Sequence, residues 1–176
     1  MLDFDYVSPF GVLRLWGRKG QLYRVELIQR PSASTRRPLR PRTAGSLKPF
    51  VRMLDAYFEG EHVQCDPGKL LWNGTSRFEH RVYDALMDVP YGRTASYAQL
   101  ARLCGSANAF RAVGNALGRN PLPVFVPCHR IVRADGALGG FTAGLTWKRK
   151  LLTHEGHVLR RGRLVAQASA ATRSGG

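Results

Sequence analysis

The chain has 176 residues, of which 44% are hydrophobic, and it carries 27 Lys and Arg against 12 Asp and Glu, a formal net charge of +15. This composition excludes a disordered chain, and no apolar run approaches the roughly 20 residues that a membrane-spanning helix needs. The acidic, alternating first residues exclude a signal or transit peptide, so we expect a cytoplasmic protein (nuclear if eukaryotic) with no membrane contact. The excess of positive charge indicates a polyanionic partner, most commonly nucleic acid, although a solvated basic surface would give the same count.

The first half of the chain predicts strands, then a basic loop and a helix. Alternating hydrophobic residues predict three antiparallel strands within the first thirty residues, with turns at 8–11 and 17–20. The segment 31–49 holds Pro, Ser, Thr, Gly and five basic residues but no acid, which predicts a loop. Apolar residues from 47 to 58 then fall on one face of a short helix, and 61–74 is typical of a linker.

Two sequence-level capping boxes mark helix starts in the second half. In each, a Ser precedes a Glu or Gln by three residues, so side chains can bond the first free amides of the helix. The two pairs are Ser76 with Glu79 and Ser96 with Gln99. The first helix is predicted to run to about Asp88 and the second to Leu103; after a turn at 105–107, Asn108 is predicted to cap a third helix that Gly118 ends. Two short helices around a glycine-containing turn predict a helix-turn-helix, although many helical hairpins share this pattern.

The remaining chain predicts a strand, a loop and a last helix. Val124-Phe125-Val126, between two prolines, predicts a buried strand. A flexible glycine-rich loop at 139–144 and a helix over 146–155 follow, and the basic, Ala- and Ser-rich segment 160–176 predicts a disordered tail.

Three cysteines raise the question of which one is reactive. Their odd number, without a CxxC or a Cys/His cluster, argues against a disulfide framework and against a metal site. Cys65 falls in a polar loop and Cys104 among apolar helical residues, where a small core residue is expected. Cys128 instead follows the predicted buried strand and precedes His129. A free thiol is mostly protonated at neutral pH, and an imidazole that takes its proton, directly or through one water, would create a nucleophile.

The sequence leaves the roles of His129 and Glu155 open. Adjacent side chains on a strand point to opposite faces, so Cys128 and His129 can act together only if the chain turns, which Pro127 makes plausible; a chance pair is the alternative. Glu155 falls in the last turn of its helix, where the helix dipole disfavours a carboxylate. It is either a carboxylate that orients a histidine or an ordinary solvated glutamate.

Six short motifs follow one another between residues 78 and 159. They are Val89-Pro-Tyr-Gly92, Ser96-Tyr-Ala-Gln-Leu100, Arg111-Ala-Val-Gly114, Asn120-Pro121, Pro127-Cys-His-Arg130 and His154-Glu-Gly-His157. In this order they resemble the O6-alkylguanine-DNA alkyltransferase family, whereas the first 75 residues resemble it only in their pattern of strands and helices. The resemblance implies an α+β fold. An N-terminal α/β domain at 1–70, a small antiparallel sheet with helices, would be ribonuclease H-like, and a C-terminal helical domain at 75–159 would contain the helix-turn-helix.

The resemblance also implies a reaction: direct, stoichiometric and irreversible transfer of an alkyl group from O6-alkylguanine in double-stranded DNA to Cys128. O4-alkylthymine is a further candidate lesion. His129 would be the water-mediated base, Glu155 would orient it, Tyr97 would donate a proton or hydrogen bond as guanine leaves, and Asn120 would organise the Cys128 loop. The damaged nucleotide would be flipped out, no cofactor would be required, and we expect a monomer.

Further residues are implied in contacts with DNA. Arg111, on the second helix of the helix-turn-helix, would fill the gap left by the flipped nucleotide in the minor groove. The remaining DNA contacts would come from Tyr97, Ala98, Ser106 and Ala134, and the loop that shapes the base pocket would contribute Phe141, Thr142 and Ala143. Two positions depart from the family: Phe141 stands where Tyr is usual and Ala143 where Gly is frequent, which puts the range of substrates in question.

Three other functions stay open from the sequence. A non-catalytic lesion-binding relative lacks Cys at the acceptor position, so Cys128 argues against it. A helix-turn-helix regulator would be expected to carry a regulatory domain or a metal-binding set of cysteines, and neither is visible. A cysteine hydrolase would use the same thiol but turn over repeatedly.

Overall fold

The computed structural model describes residues 2–29 and 44–165, and these segments combine a small antiparallel sheet with five α-helices. The strands are β1 (Leu2–Val7), β2 (Gly11–Arg18), β3 (Gln21–Gln29), β4 (Ala95–Ser96), β5 (Ile131–Val132), β6 (Leu159–Arg160) and β7 (Arg163–Leu164). The α-helices are α1 (Lys48–Phe58), α2 (Arg77–Met87), α3 (Tyr97–Leu103), α4 (Phe110–Gly118) and α5 (Leu145–His154). None of the helices in these segments is both long and apolar enough to cross a membrane.

Strands β1, β2 and β3 form the antiparallel sheet that the alternating pattern predicts, in the order β1-β2-β3. The second turn is tighter than the predicted four residues. Strand β2 continues through Arg18, and only Lys19 and Gly20 lie between the strands, with φ of 50° and 80°. A two-residue hairpin turn of this kind needs positive φ at both positions, which Gly20 adopts without cost.

Helix α1 begins inside the segment that was predicted as a basic loop. A 3-10 turn at Gly45–Leu47 precedes it, and the helix starts at Lys48, so the predicted loop ends too late. Pro49 lies in the first helical turn, where a missing amide hydrogen costs nothing, so this proline starts the helix rather than preventing it. The buried face is the predicted one and comprises Leu47, Phe50, Leu54 and Tyr57. The rest of the predicted loop, residues 30–43, lies outside the described residues.

The predicted linker at 61–74 packs against the sheet. Leu70 is buried, and the amide of Leu71 donates to the carbonyl of Leu22 over 2.8 Å. Cys65 lies in a loop between Gln64 and Asp66, as predicted, but its side chain is buried. Buried side chains from both predicted domains belong to one hydrophobic cluster. The division into domains at about residue 70 stays a prediction.

Both capping boxes are confirmed. Ser76 and Glu79 bond each other's backbone amides at the start of α2, and Ser96 and Gln99 do so at the start of α3. The prediction that Asn108 caps the next helix was wrong. The amide of Ala109 bonds the carbonyl of Ser106, so the chain makes one more turn before α4 begins.

A second correction concerns Gly118. It is the last residue of α4 instead of the residue after it, and Arg119 takes the C-cap position. The two helices α3 and α4 pack against each other and against α2.

The segment before Cys128 is buried but is not the predicted strand. Val124, Phe125 and Val126 are 8%, 7% and 0% exposed, yet Val124 has a φ of 78°. The prolines at 121, 123 and 127 cannot donate to a strand ladder, so the segment turns instead of pairing. Cys128 therefore starts a 3-10 helix, Cys128–Arg130.

Part of the predicted disordered tail forms a hairpin. Strands β6 and β7 pair around Arg161 and Gly162, and the amide of Leu164 donates to the carbonyl of Gly136 over 2.9 Å. Leu164 packs against a small buried cluster, and burial of this apolar side chain stabilises the hairpin. The prediction was wrong for residues 160–165, and residues 166–176 lie outside the described part of the chain.

Candidate active site

Cys128 lies at a cleft of about 660 Å³ between strand β3 and the loop after β5. The predicted pocket residues Phe141, Thr142 and Ala143 line the same cleft, as does Asn120. Thr142 Oγ1 donates to the carbonyl of Gly118 over 2.9 Å, which ties this loop to the end of α4. The structure therefore brings the predicted acceptor and the predicted pocket loop together.

Asn120 holds the irregular segment that leads to Cys128. Its Nδ2 donates to the carbonyl of Val126 over 2.9 Å, and its Oδ1 accepts from the amide of Leu122 over 3.0 Å. Cys128 is 8% exposed. Burial raises the pKa of the Cys128 thiol, while the Asn120 side chain and the positive charge of Lys148 oppose this rise. The thiol is thus protonated at rest and needs a base to become a nucleophile.

His129 and Glu155 form a fully buried pair. His129 Nε2 lies 2.7 Å from Glu155 Oε1, and neither side chain is exposed. Since the carboxylate can only accept, Nε2 carries the proton, and Nδ1 is left as an acceptor. Among the described residues Nδ1 has no hydrogen-bond partner. Burial lowers the pKa of His129, which Glu155 partly offsets, so the ring is neutral and free to take a proton.

Two side chains that sequence reasoning missed, those of Arg130 and Tyr57, also donate to Glu155. Arg130 Nε lies 2.9 Å from Oε2 and Arg130 Nη2 lies 3.0 Å from Oε1, while the hydroxyl of Tyr57 donates to Oε1 over 3.0 Å. Burial by itself raises the pKa of Glu155, but the charges and hydrogen bonds of His129 and Arg130 outweigh it and hold the pKa below its usual range. At 4% exposure, Glu155 is not the solvated glutamate that the sequence left open.

Lys148 is a third residue that the sequence did not single out. It is fully buried, and its Nζ donates to the carbonyls of Ile131 over 2.5 Å and Gly140 over 3.2 Å. Burial lowers its pKa to about 8. The only available signal was for Arg130, which stands inside the Pro-Cys-His-Arg motif; nothing in the local sequence indicates the burial of Lys148.

Tyr97 is the first residue of α3, and its side chain lies against the glycine-rich loop. Parallel pairing of β4 with β5 brings the start of α3 beside the end of the Cys128 helix. A Cβ at Gly139 would lie 2.7 Å from the Tyr97 hydroxyl, and Gly139 has a φ of 66°, so only glycine fits here. Burial raises the pKa of Tyr97, although a backbone hydrogen bond at Gly140 acts in the opposite direction. The Tyr97 hydroxyl therefore keeps its proton at neutral pH.

The predicted DNA-contacting residues lie outside this buried network. Arg111 is exposed on α4, with its guanidinium carbon 5.9 Å from the ring centre of Phe110. Ala98 and Ser106 are half-buried, on α3 and in the turn after it. Ala134 lines another groove, of about 470 Å³, together with Arg102 and Arg133.

Comparison with known proteins gives consistent matches. Residues 77–157 match the family model described as "6-O-methylguanine DNA methyltransferase, DNA binding domain". The methylated-DNA–protein-cysteine methyltransferase of Mycobacterium tuberculosis is 39% identical over 148 residues, which cover 84% of this chain and 88% of the relative. The human protein of the same name is 35% identical over 163 residues, 86% of this chain and 79% of the relative. The crystal structure of Mycobacterium tuberculosis OGT in complex with DNA superposes with a TM-score of 0.74 at 38% identity, covering 88% of this chain and 92% of that one.

Proposed function

Since the chain belongs to the O6-alkylguanine-DNA alkyltransferase family, the methylated-DNA–protein-cysteine methyltransferases, we propose that it repairs O6-alkylguanine in double-stranded DNA by moving the alkyl group onto Cys128. The observation that carries the proposal is the buried relay behind the thiol. A neutral His129, bonded through Nε2 to the ionised Glu155, follows directly after a cysteine that opens onto a cleft. Each molecule of protein would repair one lesion, because a carbon–sulfur bond does not reopen under cell conditions.

The proposed reaction balances without a cofactor. His129 Nδ1 takes the Cys128 proton through one water, and the thiolate attacks the alkyl carbon. The bond between that carbon and O6 breaks, and its electron pair stays on guanine. Tyr97 donates a proton or a hydrogen bond to the departing guanine, while Glu155 stabilises the protonated His129. Asn120 keeps the Cys128 segment in place throughout.

The proposed substrate must leave the base stack to reach the thiol. O6 lies in the major groove of a stacked pair, and Cys128 is only 8% exposed, so flipping of the nucleotide is required. We propose that α3 and α4 form a helix-turn-helix and that Arg111 occupies the vacated position. The exposure of Arg111 on α4 supports this role. We further propose that the N-terminal sheet with α1 is the ribonuclease H-like part of the family fold.

The function is tested by the intact mass of the protein after incubation with methylated DNA. We expect one methyl adduct per molecule and no second turnover. Binding without an adduct would favour the lesion-binding relative or the regulator. Repeated product release without an adduct would favour the cysteine hydrolase.

Substitution of Arg111 by Ala should weaken repair of duplex DNA at least tenfold, since flipping costs a few kcal/mol and the inserted side chain offsets part of it. Reaction with the free modified base should stay unchanged, because a free base needs no flipping. Single-turnover rates on both substrates measure this. Arg52→Ala removes the same charge from the exposed surface of α1 and serves as the control. Equal losses on both substrates would instead assign Arg111 to the fold or the pocket.

The pocket loop predicts a narrow substrate range. The methyl of Ala143 takes volume from the cleft, and an overpacked contact costs about 1–3 kcal/mol, so O6-methylguanine should react readily and O6-benzylguanine poorly. We expect Ala143→Gly to raise the benzyl rate about tenfold and to leave the methyl rate nearly unchanged. Phe141→Tyr should help both substrates a few-fold, since a hydrogen bond contributes roughly 0.5–1.5 kcal/mol. A wild type that already reacts fast with the benzyl base, and does not respond to Ala143→Gly, would contradict the steric argument.

A further inference from the structure

Tyr57 reaches the relay behind Cys128 from a distant part of the chain. It lies in the last turn of α1 and is 3% exposed. Its hydroxyl donates to Glu155 Oε1 over 3.0 Å, across 98 residues of sequence. The same oxygen lies 2.7 Å from His129 Nε2. One carboxylate oxygen therefore accepts from both Tyr57 and the proposed base.

The Tyr57 hydroxyl is held against Glu155 by the packing around it. The backbone carbonyl of Tyr57 lies 2.7 Å from His154 Nε2, and the two rings are 5.1 Å apart. The end of α1 is thus fixed to the end of α5 at the residue next to Glu155. Burial, followed by the charge of Glu155, raises the pKa of Tyr57 well above its usual value, so the hydroxyl keeps its proton. Tyr57 is a permanent donor in this position.

The other groups that donate to Glu155 show what the hydroxyl of Tyr57 adds. Glu155 Oε2 accepts from the amide of Gly92 over 3.2 Å and from Arg130 Nε over 2.9 Å, which fixes one oxygen. Oε1 accepts from His129, from Tyr57 and from two guanidinium nitrogens of Arg130, Nη2 over 3.0 Å and Nε over 3.2 Å. Without Tyr57, Oε1 would lose one of these four donor groups, and the charge on the oxygen that faces His129 would increase.

We propose that Tyr57 is a positioning residue for alkyl transfer: its hydroxyl fixes the Glu155 carboxylate against His129 and limits the negative charge that His129 meets. This inference rests on the proposed function for its effect on rate. A bond that is too strong to the carboxylate favours the imidazolium, which cannot take the proton of Cys128. Tyr57 thereby acts together with burial to keep His129 neutral in the pH range where it serves as a base.

Other titratable and charged groups also face this pair, and a substitution of Tyr57 removes none of them. Arg130 and Lys148 interact with His129, and Arg130, Tyr91 and His157 interact with Glu155. His154 contacts Tyr57, and Arg93 interacts with His157. A change in His129 titration on substitution of Tyr57 therefore reports the lost hydroxyl.

The test replaces Tyr57 with Phe in the full chain, which keeps the ring and its packing. Two quantities are measured: the single-turnover rate on methylated duplex DNA against pH, and the titration of His129 by ¹⁵N NMR of its imidazole nitrogens. We expect the rate at neutral pH to fall about tenfold, because the carboxylate that positions His129 loses one of its donors and a hydrogen bond to a charged group contributes free energy of about this size. We also expect the His129 midpoint and the acid limb of the rate profile to move to higher pH.

Tyr6→Phe is the matched control. The Tyr6 hydroxyl donates over 2.9 Å to Asp55, an exposed carboxylate on the same helix α1. This control should leave both the rate and the His129 titration at their wild-type values. If Tyr57→Phe also leaves either quantity at the wild-type value, the proposed role of Tyr57 is wrong.

The NMR titration separates this inference from the function it rests on. A wild-type protein that transfers no alkyl group would overturn the proposed function, while the titration would still test the bond to Tyr57. If Tyr57→Phe does not fold, 3-fluorotyrosine at position 57 supplies a stronger donor of nearly the same shape. It should move the His129 midpoint to lower pH, and a midpoint that stays or rises would overturn the proposal.

Discussion

Replacing Cys128 with Ser is expected to abolish alkyl transfer while leaving binding to methylated DNA intact. The serine hydroxyl is far less acidic than a thiol and a weaker nucleophile, and His129 is not a strong enough base to ionise it. The exposed residues that would contact DNA, such as Arg111, do not depend on the sulfur atom. Intact mass and a DNA-binding titration measure the two properties separately.

The other two cysteines provide the controls for that experiment. Burial raises the pKa of Cys65 to about 12, so this thiol stays protonated at neutral pH. Cys104 Sγ donates to the carbonyl of Ala101 over 3.3 Å and caps the end of α3. Cys65→Ser and Cys104→Ser should therefore keep full transfer, measured at a temperature at which both variants are folded. An alkylated peptide containing Cys65 or Cys104 would show that the acceptor has been wrongly assigned.

Replacing Glu155 with Gln should slow transfer by orders of magnitude and also destabilise the fold. An amide presents one oxygen and two donor hydrogens, so it cannot accept from His129, Arg130 and Tyr57 together. The tautomer of His129 with a free Nδ1 is then no longer favoured. Arg130 would be left as an uncompensated buried charge, which costs about 3–5 kcal/mol. Single-turnover rates and denaturant unfolding measure the two effects.

A control is needed because loss of stability alone could reduce the rate. Asp5 and Arg14 form a similarly buried ion pair in the sheet, with 2.6 Å between Arg14 Nε and Asp5 Oδ1. Asp5→Asn breaks this pair outside the active site, so it should reduce stability and leave the transfer rate unchanged below the unfolding temperature. If Glu155→Gln retains nearly the wild-type rate, Glu155 serves only the fold.

The lowered pKa of Glu155 also leads us to expect that the stability of the protein depends on pH. The pKa of Glu155 in the folded protein lies below the ordinary value of 4.5. In acid the folded state therefore binds fewer protons than the unfolded state. The stabilisation from Glu155 is complete at a pH above its ordinary pKa of 4.5 and is lost as the pH falls toward its pKa in the folded protein. Unfolding free energies between neutral and acid pH should show this loss in the wild type, and Glu155→Gln should lack that part of it.

The sequence by itself determined the elements that depend on interactions between neighbouring residues. Each capping box involves residues three positions apart, and the buried face of α1 follows from helical periodicity, so neighbouring residues alone specify these elements. The motifs around Cys128 likewise identified the acceptor that we propose, together with His129 and the pocket loop, because they are continuous in sequence.

Contacts between distant segments were decided only by the tertiary structure. Tyr57 was visible in the sequence as one more apolar position of α1, and its bond to Glu155 depends on how α1 packs against the end of α5. The run 124–126 has the composition of a strand, but it turns because flanking prolines and Asn120 leave it no ladder to join. Residues 160–165 have the composition of a basic tail, but Leu164 packs against a buried cluster that contains residues from three other segments. In each case the deciding partner is far along the chain, and a sequence pattern contains no information on which distant surface a side chain will meet.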